Sequence, residues 1–191
     1  MYDISSLISM KKHHQDIKND KCVVPQENWI PNELFQAIQE NMPIPCVDIL
    51  VLRMNTKDQI EMLLIKRRIY PEIGAWGLIG GRILKDESTM NALKRQAERE
   101  LGVQIKIIEP WTDTNPFAVF NDHTSDVQKH FVALTYLVSI ISGEVKKEGP
   151  EYSEAHWFTF DNLPTRFSFH HKKVLDMLND YITHHSLTLI K

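Results

Sequence analysis

The stretch of this sequence richest in chemistry is GGRILKDESTMNALKRQAERELGV, residues 80–103. Gly80 and Gly81 follow a short apolar run, and paired glycines let a backbone turn tightly and bring its carbonyls close to a ligand. A helical pattern comes next. Met90, Leu93, Ala97 and Leu101 share one face, and Gly102 stands where a left-handed residue ends a helix. At about 100° per residue, Glu100 falls at the edge of that apolar stripe, near Leu93. It also lies in the last turn, where the helix dipole disfavours negative charge by roughly 0.3–1 kcal/mol. A half-buried carboxylate in that position calls for a cation. Arginine or lysine can supply it, and so can a divalent metal with the Gly80 carbonyl as a second oxygen ligand. Taken alone, an ion-paired carboxylate at a helix edge is the simpler of these.

Other side chains of interest surround this stretch in the sequence. Arg82 directly follows the glycine pair, and Arg67 with Arg68 closes a strand-like run, where a solvated strand edge is the plain alternative. Arginine's planar fork matches phosphate oxygens. His130 opens a strongly apolar run, a place where a lone histidine is ordinarily structural. The pairs His170-His171 and His184-His185 are adjacent in sequence, so on a helix they face different ways and make poor chelates. Trp76, Trp111 and Trp157 read as core or rim aromatics.

The elements that must position these groups can be read from periodicity. Pro31 and Glu33 open a helix carrying Leu34, Phe35, Ile38 and Met42, stopped by Pro43 and Pro45. Strands are predicted over 46–54, 61–67, 76–79, 103–108, 130–141 and 156–160, with a turn at Asn55-Thr56-Lys57-Asp58. Helices are predicted over 88–101 and 170–181. These elements imply an α/β (α+β) fold, a mixed sheet sandwiched between helices, occupying residues 31–191 behind an N-terminal extension of residues 1–30.

Composition bounds the partners. The formal net charge of −3 offers no basic excess for a nucleic-acid backbone. Cys22 and Cys46 alone cannot build a disulfide framework, which fits a reducing cytoplasm. Residues 1–10 lack the pattern of a signal peptide, and the most apolar run, 131–141, is too short to span a bilayer. No nucleic-acid or membrane partner is expected.

The order Gly81, Glu87, Arg95, Glu100, Gly102 resembles the Nudix box, in which a loop–helix–loop holds Mg²⁺ against the diphosphate of a nucleotide derivative. Hydrophobic residues at the expected strand positions extend the resemblance over residues 31–181. The box has glutamates where this chain carries Gln96 and Arg99. Fewer carboxylates hold fewer ions. Those departures, with PCVDILV, LLIKRR and GAWGLIGGR before the box, resemble the GDP-mannose mannosyl hydrolases, which cut the sugar C–O bond.

That resemblance implies a role for each matching residue. The Gly80 carbonyl, Glu100 and Glu151 would bind one Mg²⁺, or Mn²⁺ in its place. Arg67 and Arg82 would neutralise the leaving diphosphate, His130 would sit beside it, and Asp48 would support the site from its strand. Tyr152 matches the family's general base, although its unperturbed pKa near ~10 makes it a poor one; Glu151, Glu154 and His123 are the alternatives. Phe117 and Phe120, read as lying in a loop before Asn121-Asp122-His123, are placed to touch a nucleotide base. The implied partner is a small-molecule nucleotide sugar, and relatives are commonly homodimers. Three activities follow: a nucleotide-sugar hydrolase releasing a nucleoside diphosphate, a Nudix pyrophosphatase attacking phosphorus in ADP-sugars, dinucleotides or nucleoside triphosphates, and a non-catalytic nucleotide-sugar sensor.

Overall fold

The computed structural model describes residues 30–126, 129–187 and 189. All but the last residue of the expected N-terminal extension lies outside this set. Helix α1 (Asn32–Asn41) follows Pro31 as expected, and it buries none of its residues completely. β1 (Ile44–Met54), β2 (Ile60–Arg67), β3 (Trp76–Gly77) and β4 (Ile79–Arg82) come next. Helix α2 (Thr89–Gln96) runs into a π turn, Ala97–Leu101, and β5 (Gln104–Ile107), β6 (Ala118–Asp126), β7 (Lys129–Ser142) and β8 (Tyr152–Phe158) follow. Helix α3 (His171–His184) comes last.

These strands form one eight-stranded mixed sheet. β1 and β7 run parallel at its centre, and the other pairings are antiparallel. β7 covers one edge of β1 over residues 44–51. The opposite edge is divided: β4 pairs with its first half, Cys46 to Ile49, and β2 with its second half, Val51 to Met54. This division holds the glycine pair against Asp48 while β2 carries Arg67 along a separate line.

The central strands read as continuous apolar runs because both faces are covered. Val47, Ile49 and Val51 of β1 face a core completed by Ala92, Leu93, Ala97 and Leu101 of α2 and the π turn. Leu50 and Leu52 face the opposite core, completed by Val174, Leu175 and Leu178 of α3. The helices thus cover opposite faces, as the sequence pattern required.

Several boundaries differ from the sequence reading. The stretch read as a loop around Phe117 and Phe120 leads into strand β6, hydrogen-bonded to β7. The strand expected over 156–160 starts earlier, at Tyr152, and ends at Phe158. The helix expected to run unbroken to Leu101 widens into the π turn, and Gly102 closes it at φ 74°. Ser88 caps its start by accepting from the Asn91 amide at 3.2 Å.

The two glycines are required for different reasons. A Cβ on Gly80 would run into the Asp48 carboxylate and stand 2.6 Å from the Val47 carbonyl oxygen, and the latter cannot move without breaking the sheet. A Cβ on Gly81 would meet only the side-chain amide of Gln96. Gly80→Ala is therefore expected to cost about 1–3 kcal/mol in urea unfolding. Gly81→Ala should cost less, and combining it with Gln96→Ala should recover most of the loss. Equal costs for the two single variants, with no recovery, would contradict this account.

Candidate functional site

An open cavity of about 350 Å³ lies over the glycine pair. Arg67, Arg82 and Glu151 line it together with Gly80 and Gly81, and Asp48, Asp122, His170 and His171 line it as well. Arg67 ends β2 at a bulge where the pairing with β8 shifts register, a distortion that re-aims a side chain. Its guanidinium lies 4.9 Å from the centre of the Phe169 ring. Arg82 ends β4, and its guanidinium lies 4.7 Å from the Phe35 ring of α1. Both cations thus rest on an aromatic face, which attracts them without neutralising their charge.

Glu87 and Arg95 brace this arrangement. Arg95 donates to both oxygens of Glu87, at 2.6 and 2.8 Å, and to the Arg82 carbonyl at 2.9 Å. Glu87 in turn accepts from the Leu84 amide. The hydrogen bonds from Arg95 hold the Glu87 carboxyl below its ordinary pKa. The loop between β4 and α2 is thereby tied to the strand end that carries Arg82.

The floor of the cavity holds a network absent from the sequence reading. His170 Nε2 lies 3.0 Å from Asp48 Oδ2, and its Nδ1 lies 3.0 Å from Asp122 Oδ2. Burial opposes a charge on this ring, yet the hydrogen bonds and charges of Asp48 and Asp122 outweigh it and raise its pKa. Burial likewise opposes ionisation of Asp48, but hydrogen bonds from His170 and His171 hold its carboxyl well below the usual carboxylate range. The trio is consistent with an imidazolium between two carboxylates. His171 differs: burial lowers its pKa, and its Nδ1 accepts from the Leu78 amide at 3.0 Å. That bond places its proton on Nε2, 3.6 Å from Asp48 Oδ2.

By distance alone, Asp48, His170 and His171 converge closely enough to hold a metal ion. The Leu78 amide argues against it, because it occupies the lone pair of Nδ1 and leaves Nε2 protonated, without the lone pair a ligand needs. The histidines were expected to diverge on a helix. They converge because His170 precedes the first helical residue of α3, with ψ 4°, after Phe169 at a positive φ of 49°.

The structure separates the other candidates. Tyr152 is fully buried, and its hydroxyl is shared between the carbonyls of Glu100 at 2.9 Å and Lys146 at 3.1 Å. Burial and the neighbouring Glu100 charge push its pKa up to about 12. It supports the π turn, and its burial, its bonded hydroxyl and its raised pKa all speak against a base there. Phe117 packs edge-on to Trp111 and Tyr181, and Phe120 stacks on His170, so both fill the space between sheet and α3 and neither lines the cavity. His130 also lies outside the cavity lining, bonded to Asn121 and edge-on to His123.

The NUDIX domain profile matches residues 42–178. The chain belongs to the Nudix family. It is 29% identical over 115 residues to an ADP-ribose pyrophosphatase of Methanocaldococcus jannaschii, a match spanning 60% of this chain and 63% of that protein. It is 33% identical over 115 residues to the low-salt glycan biosynthesis protein Agl8 of Haloferax volcanii, spanning 58% of this chain and 68% of that protein. Among solved structures, a MutT NUDIX hydrolase from Burkholderia pseudomallei superposes with a TM-score of 0.62 at 27% identity, covering 72% of this chain and 99% of that one. Among the described residues, no helix is long and apolar enough to cross a membrane.

The Nudix box of this chain departs from the family pattern at Gln96 and Arg99, and both are accounted for structurally. Gln96 is buried against Gly81. Arg99 bridges Glu100, at 2.6 Å, and Glu151, at 3.1 Å. Burial nevertheless raises the Glu100 pKa, with Arg99 opposing and Glu151 reinforcing the shift. Only one oxygen of Glu100 meets Arg99; the other, Oε2, is buried with no hydrogen-bond partner. An orphaned carboxylate oxygen of this kind fits a cation.

Tyr152→Phe distinguishes the structural role from a catalytic one. It should lower stability by about 1–3 kcal/mol through the unsatisfied carbonyls and leave the pH profile of turnover in place. Loss of the rise in turnover with pH, the limb that reports deprotonation of a base, would restore Tyr152 as that base.

Proposed function

We propose that this protein is a metal-assisted hydrolase of nucleoside diphosphate derivatives whose second group is a sugar, and that it cuts the sugar C–O bond. The observation that carries the reading is the convergence of Arg67, Arg82 and Glu151 on one cavity over the glycine pair. Two guanidinium forks suit a diphosphate. The M. jannaschii relative, an ADP-ribose pyrophosphatase, supports a nucleoside diphosphate derivative as substrate.

In this reading the Gly80 carbonyl, Glu100 and Glu151 would hold one Mg²⁺ or Mn²⁺, which would supply electrostatic stabilisation to a diphosphate leaving group. Arg67 and Arg82 bind the same leaving group from their aromatic supports. Of the three alternative bases, Glu151 lines the cavity, whereas Glu154 pairs with Lys66 and neither it nor His123 belongs to the lining. By its place in the lining, Glu151 is the candidate of the three for the proton of the attacking water, with Arg99 paired to its Oε1. Inversion at the sugar carbon follows from a single displacement by that water.

Arg99 favours C–O cleavage over attack at phosphorus. It occupies the position of a box carboxylate and contributes positive charge, so it lowers the capacity for a second ion. The competing reading, phosphorus attack as in a pyrophosphatase, draws on the M. jannaschii relative.

Two measurements test these assignments. The pKa of Glu100 is raised on folding, so its ionised form opposes stability, and that cost grows as pH rises through the folded value. Removing the charge should then be tolerated at neutral pH. Glu100→Gln is expected to melt no lower than the parent at pH 7 in EDTA and to lose the increase in melting temperature that Mg²⁺ gives the parent. A variant retaining that full increase would remove Glu100 from the metal site. Product analysis tests the bond: GDP-mannose, GDP-glucose, ADP-ribose and UDP- and dTDP-sugars are incubated with the Mg²⁺-loaded protein in H₂¹⁸O. Nucleoside diphosphate with ¹⁸O in the free sugar is expected. Nucleoside monophosphate with sugar phosphate would establish phosphorus attack instead.

A further inference from the structure

We propose that Asp48 and Asp122 form a hydroxyl-accepting subsite that holds the sugar, and that this subsite selects nucleotide sugars over nucleoside triphosphates. The inference rests on the nucleoside diphosphate reading above and adds the residues that recognise the second group.

Both aspartates line the same cavity as Arg67 and Arg82, and each is more than nine-tenths buried. They come from different strands, β1 and β6, and His170 joins them by one bond from each ring nitrogen. A ring that donates from both nitrogens makes both carboxylates acceptors. The histidines approach Asp48 through Oδ2, while Oδ1 rests against Gly80 at the cavity floor.

An ionised carboxylate has about four acceptor sites and no donor. A ligand group reaching these aspartates must therefore bring donors, and it must not bring negative charge. Sugar hydroxyls satisfy both conditions. A third phosphate satisfies neither, since it would approach two buried anions whose shared cation is already engaged. The lining residues thus divide by charge, arginines for the diphosphate and acceptors for a neutral polyol. Asp122 carries this role without belonging to the Nudix box, and His171 holds Asp48 in register through its bond to the Leu78 amide.

Titration calorimetry on the full chain in EDTA, where turnover is suppressed, tests the proposal with two pairs of ligands: GDP with GDP-mannose, and ADP with ADP-ribose. In at least one pair the sugar conjugate is expected to bind about tenfold more tightly than its diphosphate, a difference of about 1.4 kcal/mol. Asp122→Asn should remove most of that difference while leaving the Kd of the diphosphate unchanged. Conjugates that bind the parent no more tightly than the diphosphates in both pairs would overturn the proposal, as would an Asp122→Asn variant that weakens diphosphate and conjugate equally. GTP and ATP provide a check that needs no variant: binding to the parent more tightly than the conjugates contradicts the charge division. These affinities are independent of the bond cleaved, so product analysis can fail while the subsite stands, and the reverse.

Discussion

A carboxylate taken out of water must be matched by positive charge or by hydrogen-bond donors, because the desolvation of an unpaired ion costs several kcal/mol or more. This fold buries Asp48, Asp122 and Glu100, and much of the candidate site consists of the ways they are matched. His170 serves the two aspartates at once. Arg99 serves Glu100, but only at one oxygen. The first arrangement is closed through the shared His170 ring. The second leaves Oε2 of Glu100 without a hydrogen-bond partner, which suits the ion proposed for this site. Two similar side chains thus acquire different roles from the donors around them.

The sheet makes these arrangements possible. Because β2 and β4 share one edge of β1, the chain can hold Gly80 against Asp48 and still deliver Arg67 from another strand. The glycine at position 80 answers to the Val47 carbonyl and the Asp48 carboxylate. Its neighbour answers to Gln96, so a departure from the Nudix box is packed directly against one of the box's own glycines. A change at Gln96 would therefore be felt first in the geometry of the turn.

Much of this was legible in the sequence, for physical reasons. The stripe of Leu93, Ala97 and Leu101 repeats at helical spacing, and β1, β2 and β7 are largely apolar on both faces because both faces are covered. β6 was missed because its polar end, Asn121-Asp122-His123, resembles a loop, although Asp122 points into the site. Phe117 and Phe120 were then assigned to a ligand when they pack under α3. The family pattern placed a base at Tyr152, whereas the register of β8 against β2 turns that side chain into the core. Glu100, Gly80 and Arg82 stand out together as candidates because they are close in sequence. Asp48 and His170 lie 122 residues apart, and no spacing rule could bring them together; the resemblance supplied Asp48 but not its partners.

Arg99 bears most directly on mechanism. Replacing a carboxylate by a guanidinium changes the local charge by two units and removes an oxygen donor, so the turn has less capacity for additional ions. Attack at phosphorus must contend with the negative oxygens of the diphosphate, which additional ions help to shield. Attack at a sugar carbon meets no such barrier, and what it requires is a stabilised leaving group. Arg67, Arg82 and a single ion can supply that. Arg99 in the place of a carboxylate therefore supports the proposed C–O cleavage through charge alone, by weakening the case for the additional ions that attack at phosphorus would use.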